Sequence, residues 1–367
     1  EGGCVLEDLQ AQARDANRFF PLSLAAEGSC QIGGNLATNA GGINVLRYGN
    51  ARDQVLGLEA VMPNGKLLSD LHGLRKNNTG YDLKQLLIGS EGTLGIITAA
   101  TLKLYPHPDQ SANALVALRD LAASITFLGQ AQSGSGGTLC SFELIPRIGL
   151  DFACRHVTGC SDPMTTPHDW YVLLALQASG DAIDVKILLS QILETAFEAD
   201  EITDAVVASS EQQAQALWKL REGLVEGQRF EGASIKHDVS VPVSKVPEFI
   251  DRACATVVRR VPGIRPCPFG HVGDGNIHFN LSQPVGMDGQ SFLALWEEVN
   301  RLVHDQVSDL GGSFSAEHGI GLSKISEMHR YKDPTSLEIM VAIKRALDPD
   351  NLFNPGKVIS IPDANSR

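Results

Sequence analysis

The sequence predicts an α+β fold in two domains, and three observations carry that expectation. At 367 residues the chain is long for a single core. Hydrophobic residues make up 43%, and mean hydropathy is near zero, as in a globular protein with enough apolar side chains to bury. The texture also changes along the chain. Up to Tyr105 the segments are short, alternating and glycine-rich. Beyond Pro106-His107-Pro108-Asp109 they become longer helix-like stretches separated by β-rich ones.

Taken in order, Val5 to Ala16 has helical spacing, and Phe19-Phe20-Pro21-Leu22 ends it. Val55 to Met62 alternates and stops at Pro63-Asn64-Gly65, with Lys66-Leu67-Leu68 as the returning strand. A further strand is expected from Ala99 to Tyr105. Ser133-Gly134-Ser135-Gly136-Gly137 reads as a flexible loop and not a phosphate loop, since no Lys-Ser/Thr pair follows it. Residues 182–198 and 210–229 read as amphipathic helices, with Trp218, Leu220 and Leu224 expected to be buried. Val239 to Val243, Ile277 to Leu281 and Gly312 to Ser315 read as strands or strand ends. Pro334 to Leu347 reads as a helix closed by Asp348-Pro349.

The net charge of −13 argues against nucleic acid and anionic membrane surfaces as partners. No apolar run is long enough to span a bilayer, so an integral membrane protein is not expected. The seven cysteines are scattered without a C-x-x-C pair and are expected to be reduced, in a bacterial cytoplasm or a mitochondrial matrix. The first residues show no signal peptide and no initiator Met, so the chain is expected to begin inside a domain.

Two glycine-rich loops form the first chemical signal. Gly33-Gly34-Asn35-Leu36-Ala37-Thr38-Asn39-Ala40-Gly41-Gly42 combines close-approach glycines with polar Asn35, Thr38 and Asn39. Ile88-Gly89-Ser90-Glu91-Gly92-Thr93-Leu94-Gly95-Ile96-Ile97-Thr98 is the second. Spacing alone does not separate FAD from NAD or a sugar nucleotide here.

The second signal is Phe269-Gly270-His271-Val272-Gly273-Asp274-Gly275-Asn276-Ile277-His278-Phe279-Asn280. If Gly273-Asp274-Gly275-Asn276 closes a four-residue hairpin loop, Val272 pairs with Ile277 and His271 with His278. Directly opposite residues have Cβ atoms about 4.5–5.5 Å apart, close enough to share a metal. Asn280 faces the same way, while Ile277 and Phe279 face a core. Two histidines in a hairpin are more often satisfied by hydrogen bonds than by a metal. Glu317, in Ser315-Ala316-Glu317-His318-Gly319, offers the third ligand that reverses this. Two imidazoles and a carboxylate form a catalytic zinc set, and manganese, iron or cobalt would fit the same donors.

The glycine-rich run, with Arg47-Tyr48-Gly49, Lys76-Asn77-Asn78-Thr79-Gly80-Tyr81-Asp82-Leu83-Lys84 and residues 88–98, resembles the FAD-binding domain of the vanillyl-alcohol-oxidase-type flavoproteins. Over essentially its whole length the chain resembles their FAD-linked D-2-hydroxy-acid dehydrogenases. Within these it is nearest the subgroup acting on D-lactate, glycolate and D-2-hydroxyglutarate, the D-2-hydroxyglutarate dehydrogenases first.

The resemblance implies three parts. Residues 1–108 would be the second part of the FAD-binding domain, its N-terminal subdomain absent. Residues 109–330 would be a substrate (cap) domain with an antiparallel sheet and the metal site, and 331–367 would return to the FAD domain. It implies FAD contacts from Gly33, Gly34, Asn35, Thr38, Asn39, Gly42, Glu91, Gly92, Gly95, Ile97 and Asn354. It implies a metal on His271, His278 and Glu317, with His318 as the base. It also implies that Arg221, Lys236 and Asn280 bind the substrate. Val225 stands where 2-hydroxyglutarate-specific members carry Thr, which keeps D-malate and D-lactate open as substrates. The expected downstream acceptor is an electron-transfer flavoprotein or a quinone, and a homodimer is possible in such a family. Two rival readings are a flavin-free zinc hydrolase built on His271, His278 and Glu317, and a non-catalytic binding module.

Overall fold

The computed structural model describes residues 1–361. They form two compact units, residues 1–107 with 317–361, and residues 108–316.

The first unit begins with α1 (Leu6–Asp15), β1 (Arg18–Phe19), α2 (Ile32–Ala37) and α3 (Val45–Tyr48). It continues with β2 (Val55–Val61), β3 (Leu67–Asp70), α4 (Lys84–Leu87), β4 (Ile96–Leu102) and β5 (Tyr105–Pro106). The hairpin at Pro63-Asn64-Gly65 forms as expected. Gly65 takes φ +77°, Met62 N–H donates to the Lys66 carbonyl at 2.9 Å, and Asn64 Oδ1 accepts from Lys66 N–H at 3.0 Å. The sheet runs β3-β2-β4, and Leu6, Phe20, Leu36, Leu58 and Leu87 form its core. Two expectations are corrected here. The strand expected over Ala99–Tyr105 runs from Ile96 to Leu102 instead, after which β5 pairs with β1. The first glycine-rich run is not all loop, because Ile32–Ala37 is a helix. That helix is set by close approach. A Cβ on Gly33 would meet the Gly2 carbonyl at 3.1 Å and the Ile97 carbonyl at 3.2 Å.

The second unit follows with β6 (Gln110–Leu118), α5 (Ala123–Gly134), β7 (Leu139–Pro146), α6 (Arg147–His156), β8 (Trp170–Ala178), α7 (Val185–Glu198), β9 (Ile202–Val207) and α8 (Glu211–Arg229). Next come β10 (Ser234–Ser240), α9 (Val246–Arg260), β11 (Arg265–His271), β12 (Asn276–Ser282), α10 (Gly289–Leu293) and α11 (Trp296–Asp309). Side-chain caps start two of the expected helices. Asp184 accepts from Lys186 and Ile187 N–H, and Ser210 from Gln213 N–H. Ser133 and Gly134 belong to α5, so the glycine-rich loop there is shorter than its sequence suggests. Gly312–Ser315 makes a single bridge, Ser240 to Ser313, and not a strand.

Seven antiparallel strands form one sheet in the order β10-β12-β11-β7-β8-β6-β9. On one face, residues of α6 and α8 (Leu150, Ala153, Leu217, Leu220, Leu224) pack on Leu115, Ile145, Tyr171, Leu173 and Phe269. Each buried Leu, Ile or Phe among them contributes roughly 1.5–3 kcal/mol. Trp218, expected to be buried, is only partly so, and its indole N–H donates to Asn113 Oδ1 at 2.9 Å. On the other face, Phe127 of α5 meets Phe142, and Phe249 of α9 meets Phe279. Pro266 and Pro268 carry no N–H for a ladder, and β11 joins β7 only beyond them, at Gly270↔Leu144 and His271↔Glu143.

Residues 317–361 complete the first unit with α12 (Ile325–Tyr331) and α13 (Pro334–Leu347). Asp333 caps α13, and Pro334 fills its first position. No helix among the described residues is long and apolar enough to cross a membrane.

Candidate active site

In the second unit the sheet face under α8 changes character from strand to strand. It is apolar on β8 and, Asn113 aside, on β6, and turns polar on β7, β11, β12 and β10. Period-two alternation puts Glu143, His271, His278, Asn280, Asp238 and Lys236 on that one face.

The histidine hairpin closes differently from the expected register. His271 pairs with Asn276, and His278 pairs with Phe269. The loop is a turn of 3-10 helix over Val272–Asp274, ended by Gly275 in the left-handed region at φ +81°. A Cβ there would collide with the Val241 carbonyl, so the position needs glycine. Asn276 becomes the first residue of β12, its Nδ2 donating to Asp238 Oδ1 at 2.9 Å and to the Val239 carbonyl at 3.0 Å. A slip of two residues keeps each side chain on its face, whereas a slip of one would have split the pair. The imidazoles remain neighbours, with ring centroids 5.5 Å apart at 76°.

Glu143 organises this face. Its Oε1 lies 2.5 Å from His271 Nδ1, and its Oε2 accepts from Arg221 Nε at 2.9 Å and Nη2 at 2.8 Å. Burial alone would raise its carboxyl, but His271 and Arg221 outweigh burial and hold it down at about 2. With Nδ1 turned to Glu143, Nε2 is the His271 nitrogen that other ligands meet. His278 is pushed down, first by burial and then by His271 and Arg221, which suits a neutral ligand imidazole. Asp238 Oδ1 stands 3.7 Å from its Nδ1, too far for a hydrogen bond. Two neighbouring imidazoles, one oriented by a carboxylate, fit a borderline-soft divalent metal.

Arg221 is buried and also stacks 4.8 Å over the Phe269 ring. Val225 follows one turn later on α8 and is partly buried. Lys236 lies opposite Asn280 in register, its ammonium pushed down by partial burial and then by Arg229. Asn280 Nδ2 donates to Gln228 Oε1 at 2.9 Å, and Gln228 donates on to Ser282. Sequence reasoning missed Glu143. Its signal was a lone carboxylate in the apolar strand Leu139-Cys140-Ser141-Phe142-Glu143-Leu144-Ile145.

In the first unit, four segments distant in sequence converge. Glu317 Oε1 accepts from Gly42 N–H at 2.9 Å. Glu91 accepts from Ile320 N–H at 2.7 Å and Gly321 N–H at 2.8 Å, and its carbonyl takes Asn354 Nδ2 at 2.6 Å. The backbone of Glu91 sits at φ +53° and Gly92 at +68°. His318 is exposed on the same loop. Asn39 Oδ1 accepts from Arg52 N–H, Thr38 Oγ1 donates to the Gly34 carbonyl, and Gly95 packs under Leu87. Ile97 pairs with Ala60 in the small sheet. Gly34 has open space where a Cβ would stand. Beside it, the buried Asn35 Oδ1 has no hydrogen-bond partner among the described residues. That orphaned acceptor fits a ligand rich in N–H and O–H donors, as FAD is.

Residues 107–358 match the family described as FAD linked oxidases, C-terminal domain, and residues 1–70 match the FAD binding domain. The chain belongs to the FAD-linked oxidases. Within this family it is 38% identical over 367 residues to a D-2-hydroxyglutarate dehydrogenase of Xanthomonas citri pv. viticola, covering 99% of this chain and 76% of that one. It is 37% identical over 361 residues to the mitochondrial D-2-hydroxyglutarate dehydrogenase of Arabidopsis thaliana, covering 98% of this chain. The chain spans 63% of the length of that plant relative. Among solved structures it superposes on p-cresol methylhydroxylase with TM-score 0.70 at 16% identity, covering 96% of this chain and 73% of that one. It also superposes on alkyldihydroxyacetonephosphate synthase with TM-score 0.66 at 17% identity, covering 96% and 62%. The chain thus has the expected α+β fold of the vanillyl-alcohol-oxidase type, and the expected likeness to D-2-hydroxyglutarate dehydrogenases is found.

Proposed function

We propose that the protein carrying this chain oxidises a D-2-hydroxy acid to the 2-oxo acid, D-2-hydroxyglutarate first, with D-malate and D-lactate as further candidates. The observation that carries this reading is the cation-and-imidazole array on one sheet face, Arg221 and His271 joined through Glu143. Its occurrence in a chain so similar to D-2-hydroxyglutarate dehydrogenases supports it.

When bound, FAD would supply the hydride acceptor and a divalent metal the Lewis acid. Zinc is the first candidate for that metal, with manganese, iron or cobalt able to use the same donors. His271, His278 and Glu317 would hold the metal. Gly33, Gly34, Asn35, Thr38, Asn39, Gly42, Glu91, Gly92, Gly95, Ile97 and Asn354 would line the flavin. Arg221 offers the Nη1 edge that Glu143 leaves unused, and with Lys236 and Asn280 it would bind the carboxylates of the substrate. The apolar side chain of Val225 would border the distal end of the substrate. His318 would take the hydroxyl proton as general base. Electrons would leave to an electron-transfer flavoprotein or a quinone, from a homodimer in a bacterial cytoplasm or mitochondrial matrix.

Turnover of the full-length protein with an artificial electron acceptor tests this. D-2-hydroxyglutarate should be oxidised, a chelator should abolish the rate, and added zinc should restore it. Failure to oxidise any of the three acids would sink the reading.

A further inference from the structure

Glu143 has a demanding position. It lies in the otherwise apolar strand β7 with 1% of its surface exposed, and an ionised carboxylate there is costly unless both oxygens are engaged. The two oxygens are divided between partners. Oε1 faces His271 Nδ1 from the neighbouring strand, and Oε2 takes both Nε and Nη2 of Arg221 from α8. Phe269, two residues before His271, stacks against the same guanidinium and fixes its plane. Strand register, helix packing and one carboxylate thus lock an imidazole and a guanidinium in a single orientation.

We propose that Glu143 is a positioning residue shared by the metal ligand His271 and the substrate anchor Arg221, so that metal affinity and substrate affinity depend on the same side chain. This rests on His271 being a metal ligand, as proposed above. A ligating histidine gains orientation and basicity from a carboxylate on its other nitrogen, and losing such a partner typically weakens metal binding about ten- to a hundredfold. Both neighbours of Glu143 present N–H donors, so both of its terminal atoms must accept. The amide of Gln has one acceptor oxygen, and Glu143→Gln therefore has to set one N–H against another.

The test is zinc titration of the metal-free full-length protein against a chromophoric chelator, for wild type and E143Q. Cobalt(II) spectra of both proteins accompany it. E143Q should bind zinc about ten- to a hundredfold more weakly. It should also shift the visible bands of bound cobalt, which a loss of stability alone would not do, and raise KM for D-2-hydroxyglutarate. If E143Q does not fold, Glu143→Asp takes its place with the same expectation, since it keeps two acceptors but withdraws them by one methylene. Zinc affinity within about threefold of wild type with unchanged cobalt bands overturns the proposal alone. A wild-type protein that binds no zinc overturns the metal reading and this proposal with it.

Discussion

Replacing Lys344 by Met should destabilise the first unit by about 3–5 kcal/mol. Lys344 is 2% exposed, and its ammonium donates to Asp348 Oδ2 at 2.5 Å, the Thr93 carbonyl at 2.8 Å and the Phe353 carbonyl at 2.8 Å. It therefore ties the end of α13 to the loop carrying Glu91 and to the residue before Asn354. Burial alone would raise the Asp348 carboxyl, but Lys344 and the N–H groups of Phe353 and Leu352 outweigh burial and lower it. Met fills the same volume yet leaves Asp348 ionised, buried and without its counter-ion. Breaking a buried pair from one side costs about 3–5 kcal/mol. Urea denaturation followed by circular dichroism should show that loss in K344M, and Asp348→Asn in the K344M background should recover part of it, because the charge is then removed. A loss below about 1 kcal/mol would refute the argument, since surface ion pairs cost no more than that.

Three further outcomes are expected. Glu231, gripped by Arg155 at 2.6 Å, His156 at 2.7 Å and Arg265, is held at about 2 against an ordinary 4.5. Burial opposes that shift, and the hydrogen bonds win. A depressed carboxyl stabilises the fold above its unfolded pKa, so about 2–3 kcal/mol, after allowance for solvent screening by the exposed Arg155 partner, should be lost as pH falls through that interval. Glu231→Gln should flatten this part of the pH–stability curve; an unchanged slope would count against it. Val225→Thr should lower KM for D-2-hydroxyglutarate about fivefold, the worth of one neutral hydrogen bond, and leave D-lactate unaffected. Equal changes for both acids would remove Val225 from the specificity argument. Gly275→Ala, forced against φ +81° and the Val241 carbonyl, should cost about 1–3 kcal/mol in thermal denaturation and weaken zinc binding together.

What could be read from the sequence was local. Pro334–Leu347 carries its own start in Asp333 and Pro334 and its own stop in Asp348-Pro349, so both ends of α13 were legible. The face shared by His271 and His278 was legible because period-two alternation survives a register slip of two. The register itself was not, since Gly275, and not the whole Gly273–Asn276 stretch, sets the loop. Glu143 stayed hidden for a different reason. Its partners lie 78 and 128 residues away, Arg221 brought to it by the packing of α8 and His271 by the short β7–β11 pairing. The helix at Ile32–Ala37 forms despite its two glycines, and one of them, Gly33, is held to that small size by the backbone of Gly2 and Ile97.

The most direct test of the proposed chemistry is anaerobic titration of the FAD- and zinc-replete full-length protein with D-2-hydroxyglutarate, followed by flavin absorbance. Wild type should bleach at roughly 450 nm, where oxidised flavin absorbs, while His318→Ala keeps the flavin band but does not bleach on the same timescale. A wild-type band that persists in excess D-2-hydroxyglutarate, D-malate and D-lactate would contradict the account.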